Sequence, residues 1–196
     1  FFQPSRISTN VFPCGWTSVF SKTNFSTSDS LINSYLPGDL RGYGTTNEYL
    51  IQQGSTTSNA NLKASMKYDN GGCYCDVQYI RLSEIKLTRA ETLAYTTNSI
   101  DAEALQHLND IRKPFPEGQK PAELKASDFA SVDAFVDSIL VERNRELAME
   151  GHYRWDLIRT GRDLKTKGLP NNKKILPIPE YEVQISDGVI KQNSGF

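Results

Sequence analysis

The chain has 196 residues, a formal net charge of −1 and a hydrophobic fraction of 38%. This length suits one ordinary folded domain. A charge so close to zero argues against the basic face that binding to nucleic acid or to an acidic lipid surface requires, and no apolar run approaches the ~20 residues of a membrane-spanning helix.

Residues 1–75 form a first region that is rich in Ser, Thr, Asn, Gly and Tyr. Turn signals such as Pro37-Gly38-Asp39 and Asn70-Gly71-Gly72 interrupt it, and no apolar period lasts long enough to predict a helix. We therefore expect loops with short strands or short helical turns. The opening Phe1-Phe2-Gln3-Pro4 has neither an initiating Met nor a signal-type apolar stretch, which is typical of a start inside a longer protein.

The three cysteines do not indicate a disulfide framework. They are an odd number, so at least one is unpaired, and Cys73 and Cys75 are too close in sequence to favour a mutual disulfide. Cys14 lies far from both. The spacing of Cys73 and Cys75 relative to Asp69 and Asp76 matches neither a zinc site nor a calcium loop. We therefore predict no metal and no cofactor.

A second region, residues 76–196, changes to helical patterns. Residues 77–95 carry apolar side chains almost all round a helical wheel, which is typical of a helix buried between neighbours. Residues 96–99 end that helix, and Asp101 can cap the next one, which stops before Pro114. The two predict an antiparallel pair of about tetratricopeptide size. The apolar positions of the second helix are Ala104, Leu105, Leu108 and Ile111.

A third and longer helix is predicted over residues 132–159, with Ser131 or Asp128 as its N-cap. Tyr153 and Trp155 are expected to be core anchors of this helix. The predicted fold class is therefore mainly α, with α/α tetratricopeptide-like helix pairs and a loop-rich N-terminal region.

Residues 141–159 carry acids and arginines at spacings of three and four, where helical side chains meet. A catalytic Glu/His/Asp group around His152 is one interpretation. Metal binding by His152 and Asp156 lacks an evident third ligand. The interpretation that we favour is a buried ion-pair scaffold that holds the helix to its neighbours. The spaced pairs are Glu142–Arg145, Arg143–Glu146 and Glu150–Arg154.

The same segment resembles the C-terminal signature of the SusD/RagB family, in which a Glu-Arg-x-Arg-Glu-Leu core is followed by Glu-Gly-His and an aromatic-Asp-Leu run. Other stretches resemble the family in the same order, and the resemblance covers about residues 76–196. Weaker likenesses are Asp39-Leu40-Arg41 and Lys67-Tyr68. The supporting stretches are residues 79–91, residues 104–112, Leu176-Pro177-Ile178-Pro179 and Gln192-Asn193-Ser194-Gly195-Phe196.

The resemblance implies a longer, mostly helical parent lipoprotein on the outer surface of the outer membrane. Members of the family bind nutrients and do not cleave them. They pass an oligosaccharide or polysaccharide ligand to a SusC-like TonB-dependent transporter, and they touch the membrane only through a lipid anchor that this chain lacks. The implied protein is not an enzyme and has no nucleic-acid partner. The alternative is a helical protein–protein interaction module without glycan binding; a hydrolase is suggested only by scattered carboxylates.

Candidate ligand contacts lie in the loop-rich first region, because glycan sites combine aromatic faces with a few polar groups. Trp16 follows a Cys-Gly turn, and Tyr43 stands between two glycines. The predicted ligand-binding residues are Trp16, Tyr35, Arg41, Tyr43 and Asn47.

Overall fold

The computed structural model describes residues 27–44, 49–53, 63–65, 67, 78–162 and 175–196. These ranges are mainly α-helical, which confirms the predicted fold class. The chain divides into two compact units between Ala148 and Met149. Within the described ranges, no helix has both the length and the apolar character that crossing a membrane requires. The elements are α1 (Asp29–Ile32), β1 (Ile51–Gln53), β2 (Lys63–Ser65), α2 (Leu82–Thr97), α3 (Ala102–Ile111), α4 (Val132–Glu146), α5 (His152–Arg159) and α6 (Glu180–Ile185).

The described part of the first region contains only short elements, as its turn-rich composition predicts. Helix α1 has four residues, and its N-cap Ser28 accepts a hydrogen bond from the Leu31 amide at 3.3 Å. Strands β1 and β2 pair antiparallel, with Ile51 opposite Ser65. The predicted boundary between residues 75 and 76 stays a prediction, because residues 68–77 lie outside the described ranges.

Helices α2 and α3 form the predicted antiparallel pair. Asn98 ends α2 in the left-handed conformation (φ +48°), which Asn tolerates better than most residues. The Asp101 carboxylate then accepts hydrogen bonds from the Glu103 and Ala104 amides at 2.8 and 3.3 Å, so it is the N-cap of α3. Helix α3 ends at Ile111, three residues before the proline that forbids its continuation.

Helix α4 packs against both members of the pair and completes the core of the first unit. Its N-cap is Ser131, whose hydroxyl accepts a hydrogen bond from the Ala134 amide at 3.1 Å. Asp128 caps a separate 3-10 turn instead. A fully buried Leu, Ile or Phe stabilises the fold by about 1.5–3 kcal/mol. The buried cluster comprises Leu87, Ala90, Ala94, Ala104, Leu108, Phe135, Val136, Ile139 and Leu140.

The connection between α3 and α4 is fixed by a buried amide. Asn109 is 6% exposed. Its side chain donates to the Leu124 carbonyl at 3.0 Å and accepts from the Leu124 amide at 2.9 Å. Without these two hydrogen bonds, burial of the Asn109 amide would destabilise the fold. The bonds also hold the polar connection against the helix pair.

One face of α2 departs from the sequence prediction. The nearly uniform apolar pattern predicts burial all round, and Leu87, Ala90 and Ala94 are indeed buried. However, Leu82 is 71% exposed and Ile85 is 52% exposed. Among the described residues the expectation of a helix enclosed on every side is therefore wrong, because α3 and α4 cover only one side of α2.

The predicted long helix over residues 132–159 is two helices. Helix α4 ends at Glu146 and α5 begins at His152. Between them, Met149 and Gly151 adopt left-handed backbone conformations, with φ of +66° and +82°. Two such residues cannot belong to a right-handed helix, so the helical phase is reset between α4 and α5.

The break also overturns the predicted core anchors of the second unit. Trp155 is 54% exposed and Tyr153 is 41% exposed. The buried residues of α5 are Asp156 and Leu157. The prediction is wrong because it carried the phase of α4 through the break.

The end of the chain is closed by two side-chain amides. Gln192 accepts from the Ile178 amide and donates to the Ile178 carbonyl, both at 2.8 Å. Asn193 donates to the Leu176 carbonyl at 2.7 Å. Pro177 and Pro179 have no amide N–H to offer, so these bonds use the polar groups that the proline-rich stretch leaves available. The two terminal motifs are therefore parts of one local structure.

Candidate functional site

The most highly organised group of side chains in the described residues surrounds Arg41. The Arg41 side chain is 7% exposed. Its Nε and Nη2 donate to the two carboxylate oxygens of Asp39 at 3.0 and 2.7 Å, and its backbone amide also donates to Asp39 at 3.0 Å. This bidentate arrangement is the strong geometry for an arginine and a carboxylate. It folds residues 39–41 into a tight, charged turn.

Helix α4 supplies the other partners of the turn. Arg41 Nη1 lies 2.7 Å from Glu142 Oε1 and 3.0 Å from Glu146 Oε2. Glu142 and Glu146 are four apart, so both project from one face of α4. The Glu142 side chain is 2% exposed and that of Glu146 is 15% exposed. A single guanidinium therefore joins the turn to the last two turns of α4.

Two further arginines complete the network. Arg145 Nη1 lies 3.2 Å from Glu142, and Arg81 Nη1 lies 2.8 Å from Glu146. The favoured ion-pair scaffold is confirmed for the Glu142–Arg145 pair, which has the predicted spacing. Arg143 instead donates to Thr88 on α2 at 2.9 Å. We call the group of three acids and three arginines the Arg41 cluster; it comprises Asp39, Arg41, Arg81, Glu142, Arg145 and Glu146.

Electrostatics favour the ionised forms of Arg41 and Glu146. Burial by itself would lower the pKa of Arg41, but hydrogen bonding to Asp39 and the charges of Glu142 and Asp39 raise it above its ordinary value. Burial would likewise raise the pKa of Glu146, but hydrogen bonds from Arg41 and Arg81 lower it below its ordinary value. A general acid or base needs a pKa near the operating pH. The pKa of Arg41 is raised and that of Glu146 is lowered, so both values move away from neutral pH. Shifts of this kind suit a permanent structural contact.

The same region caps the C-terminal end of α4. The last carbonyls of a helix lack intrahelical partners, and cations near them are favourable. The Tyr35 hydroxyl donates to the Arg145 carbonyl at 2.9 Å. Lys67 Nζ donates to the carbonyls of Glu146 and Ala148 at 2.8 and 3.0 Å, and Arg81 also donates to the Glu146 carbonyl at 2.7 Å. Three separate stretches of the chain therefore hold one helix end.

Two of the acids that could serve a catalytic group, Glu146 and Asp156, are bound by arginines. Glu146 is bound by Arg41 and Arg81. Asp156, in the second unit, is 4% exposed and lies 2.8 Å from Arg159. Among the described residues, no group of three or more His, Cys, Asp or Glu side chains has the arrangement of a metal site. The geometry favours the scaffold over the catalytic interpretation.

The predicted ligand residues fall into three groups. Tyr35 and Arg41 belong to the first unit's internal contacts, as described above. Tyr43 follows the turn at residues 39–41, is half-buried and forms an isolated parallel bridge with Ile51. Trp16 and Asn47 lie outside the described residues. Ligand contact by all five stays a prediction.

Close packing explains why glycines stand on either side of Tyr43. A Cβ on Gly42 would lie 3.0 Å from Tyr35 Cβ, and a Cβ on Gly44 would overlap the Tyr49 ring. The aromatic rings therefore pack directly on the backbone around Tyr43. Lys63 Nζ lies 5.6 Å from the centroid of the Tyr43 ring, within the range of a cation–π contact.

Sequence reasoning missed Lys63 as a neighbour of Tyr43 and Lys67 and Arg81 as partners of α4. Lys67 and Arg81 fall in stretches that resemble the family, which was the available signal. Lys63 lies on β2 and carries no motif. A concavity lined by Phe115, Glu117, Gly118 and Lys120 was not predicted either.

Comparisons with known proteins agree with this architecture. A model of the SusD family (SusD_RagB) matches residues 5–176. This match reaches further toward the N-terminus than the resemblance seen in the sequence, while the closing motif at residues 192–196 lies beyond it. A SusD-like protein P25 of Formosa agariphila is 32% identical over 133 aligned residues, which cover 59% of this chain and 24% of that protein.

Two solved structures share the fold. A SusD superfamily protein from Parabacteroides distasonis has a TM-score of 0.66 at 18% identity, covering 92% of this chain and 46% of that one. A SusD homolog from Bacteroides thetaiotaomicron has a TM-score of 0.52 at 22% identity, covering 70% and 32%. The chain thus spans less than half the length of each of these relatives. Since the family model matches most of its residues, the chain belongs to the SusD family.

Proposed function

We propose that the chain is part of a non-catalytic nutrient-binding protein at the cell surface, which captures an oligosaccharide or polysaccharide and delivers it to a SusC-like TonB-dependent transporter of the outer membrane. The observation that carries the proposal is the family match over residues 5–176. We propose that attachment to the membrane is through a lipid anchor.

The Arg41 cluster supports binding over cleavage. Glycoside hydrolysis needs two carboxyl groups that face a sugar from opposite sides, one of them able to donate a proton. Glu142 and Glu146 project from the same face of one helix and are both bound by arginines. Neither the shared helix face nor the arginine contacts suit proton donation to a sugar.

Of the predicted ligand residues that the structure describes, Tyr43 is the best placed to stack on a sugar. It extends from a turn that the Arg41 cluster holds rigid, and packing of Tyr35 and Tyr49 on the neighbouring glycines fixes its backbone. We assign Arg41 a positioning role at this site, because its guanidinium already binds Asp39 and the two acids of α4. Trp16 and Asn47 remain proposed contacts.

The proposal is tested by affinity electrophoresis of the chain through gels that contain one polysaccharide each. We expect retardation by at least one polysaccharide, and we expect Tyr43→Ala to reduce it at least about tenfold, a loss typical of removing a central aromatic contact. Tyr181→Ala is the matched control, because Tyr181 is 66% exposed in the second unit; it should migrate like the wild type.

The alternative, a helical protein–protein interaction module without glycan binding, predicts a different result. No polysaccharide of the panel would retard the chain, and a protein partner would be retained tightly on the immobilised chain. Delivery to a transporter is tested separately: a gene for a TonB-dependent receptor immediately upstream supports it, and failure of the two products to copurify from outer membranes contradicts it.

A further inference from the structure

The connection between α3 and α4 forms an open concavity of about 530 Å³. Its volume lies within the range of about 300–1,000 Å³ that small-molecule sites occupy. No member of the Arg41 cluster lines it, so its side chains are not already engaged in supporting α4. We call it the connection concavity; its lining residues within the described ranges are Phe115, Glu117, Gly118 and Lys120.

The backbone around the connection concavity is held at several points. The Leu40 amide donates to the Pro114 carbonyl at 2.8 Å, which ties the start of the connection to the first region. Within the connection, the Gln119 amide donates to the Pro116 carbonyl at 3.0 Å and closes a turn. The two hydrogen bonds of Asn109 hold the far end of the connection. The concavity is therefore formed before any ligand arrives, as binding sites usually are.

The lining combines an apolar floor with one acid and one base. Phe115 is 7% exposed and forms the floor, while Glu117, Gly118 and Lys120 are exposed. Within the described part of the chain, neither Glu117 nor Lys120 has an ion pair or a side-chain hydrogen bond. A Cβ on Gly118 would meet nothing within 4 Å, so the space beside the two charged residues is open.

These groups suit a ligand that carries several hydroxyls. A hydroxyl both donates and accepts hydrogen bonds, so it can donate to the Glu117 carboxylate and accept from the Lys120 ammonium. The two charges offset each other, which favours an uncharged ligand over an anion. The remaining contact, with the exposed part of Phe115, suits the apolar face of a sugar ring.

We propose that the connection concavity is a saccharide subsite that takes an uncharged sugar unit. The inference rests on the proposed function for the class of ligand, and it adds a place of contact that does not include Tyr43. Glu117 and Lys120 supply the hydrogen bonds there, and Phe115 supplies the apolar contact.

The experiment uses the full product of the gene that encodes this chain, mixed with maltohexaose, cellohexaose, mannohexaose or xylohexaose. Hydrogen–deuterium exchange is followed by mass spectrometry on peptides that cover residues 114–122 and residues 39–44. We expect at least one of these uncharged sugars to slow exchange in residues 114–122, because the ligand covers that backbone.

Paired variants assign the effect to the lining. Glu117→Ala combined with Lys120→Ala should abolish the slowed exchange in residues 114–122 and weaken binding of that sugar at least about fivefold, as loss of hydrogen bonds to charged groups predicts. Glu123→Ala combined with Lys125→Ala is the matched control, because both residues are exposed in the same connection and neither lines the concavity. Equal losses in the two double variants overturn the proposal.

The exchange pattern also separates this inference from the proposed function. Slowed exchange in residues 39–44 alone overturns the subsite and leaves glycan binding at Tyr43 standing. Unchanged exchange in both peptides with all four sugars overturns the subsite too. The proposed function fails only if polysaccharide-containing gels also leave the migration of the protein unchanged.

Discussion

Arg41 and Glu146 are 105 residues apart in the chain, yet Arg41 Nη1 donates to Glu146 Oε2 at 3.0 Å inside the first unit. This contact joins the loop-rich region to the helical one. A buried ion pair stabilises a fold little when compared with a well-packed apolar replacement, but removing one partner leaves an uncompensated buried charge. The cluster therefore makes the two regions depend on each other.

The first prediction concerns Arg41 itself. Arg41→Met leaves Asp39 buried without its arginine and removes one of the two arginines that bind Glu142, so we expect the free energy of unfolding to fall by about 3 kcal/mol or more. Urea unfolding followed by circular dichroism measures this change. Arg89→Met is the matched control, because the Arg89–Glu103 pair is about half exposed; its unfolding midpoint should match that of the wild type. Equal losses in the two variants would show that burial of the pair is unimportant.

A second prediction isolates the cap on α4. Tyr35→Phe removes only the hydroxyl that donates to the Arg145 carbonyl, so we expect a loss of about 1 kcal/mol in the free energy of unfolding. Burial raises the pKa of Tyr35 above its ordinary value, so the hydroxyl stays protonated and donating at neutral pH. Tyr181→Phe, at an exposed position, is the control. A loss at Tyr181 as large as that at Tyr35 would contradict the assigned hydrogen bond.

The third prediction concerns pH. The folded pKa of Glu146 is lowered from its ordinary 4.5 by hydrogen bonds from Arg41 and Arg81, which outweigh burial. Such a group contributes stability that is fully present above pH 4.5 and is lost as the pH falls through the lower, folded pKa. Glu146→Gln should therefore flatten the fall in stability on the acid side of that value. Unfolding measured from pH 7 down to about pH 3 tests this, and identical profiles for variant and wild type would exclude it.

A fourth prediction addresses the break between α4 and α5. Gly151 has φ +82°, and a Cβ there would meet nothing within 4 Å. Gly151→Ala should therefore cost only the conformational strain, about 1 kcal/mol. Met149, with φ +66°, is the counterpart: Met149→Gly should be neutral or stabilising. Thermal unfolding of both variants should show shifts of opposite sign or a loss at Gly151 alone; a loss at Met149 alone would contradict the assigned conformations.

The fifth prediction concerns the chain end. Gln192→Ala removes both hydrogen bonds to Ile178, so we expect the Ile178 amide to exchange with deuterium faster. Gln184→Ala, which removes a surface bond to Glu180, is the control and should leave that amide unchanged. Unaltered protection at Ile178 in Gln192→Ala would show that the bonds do not hold this stretch.

The sequence predicted what depends on neighbouring residues. The helix pair, the Asp101 cap, the stop before Pro114 and the Glu142–Arg145 pair all follow from local spacing and chemistry. The break after Glu146 did not, because Leu147, Ala148 and Met149 are good helix formers and Gly151 is the only contrary signal. Its consequence was the wrong placement of Tyr153 and Trp155.

The Arg41 cluster likewise combines a feature that the local sequence indicates with contacts that it does not. Asp39-Leu40-Arg41 could be noticed as a weak family likeness, but local patterns give no register between that turn and α4. Burial of Arg41 depends on contacts across more than half of the chain, which only the fold supplies. The exposure of Leu82 and Ile85 at the start of α2 was not predicted for a related reason. An apolar pattern does not show which faces of a helix other elements cover.

Three side chains hold the end of α4: those of Tyr35, Lys67 and Arg81. The fold therefore constrains these three positions. These anchors fix where the polar first region meets the helices, and Arg41, which lies between Tyr35 and Lys67, binds Glu142 and Glu146 of the same helix. Replacement of exposed side chains of the first region that contact none of these groups can therefore alter the surface without disturbing the support beneath it. Under the proposed function, a single framework of this kind would present different recognition side chains to chemically different nutrients.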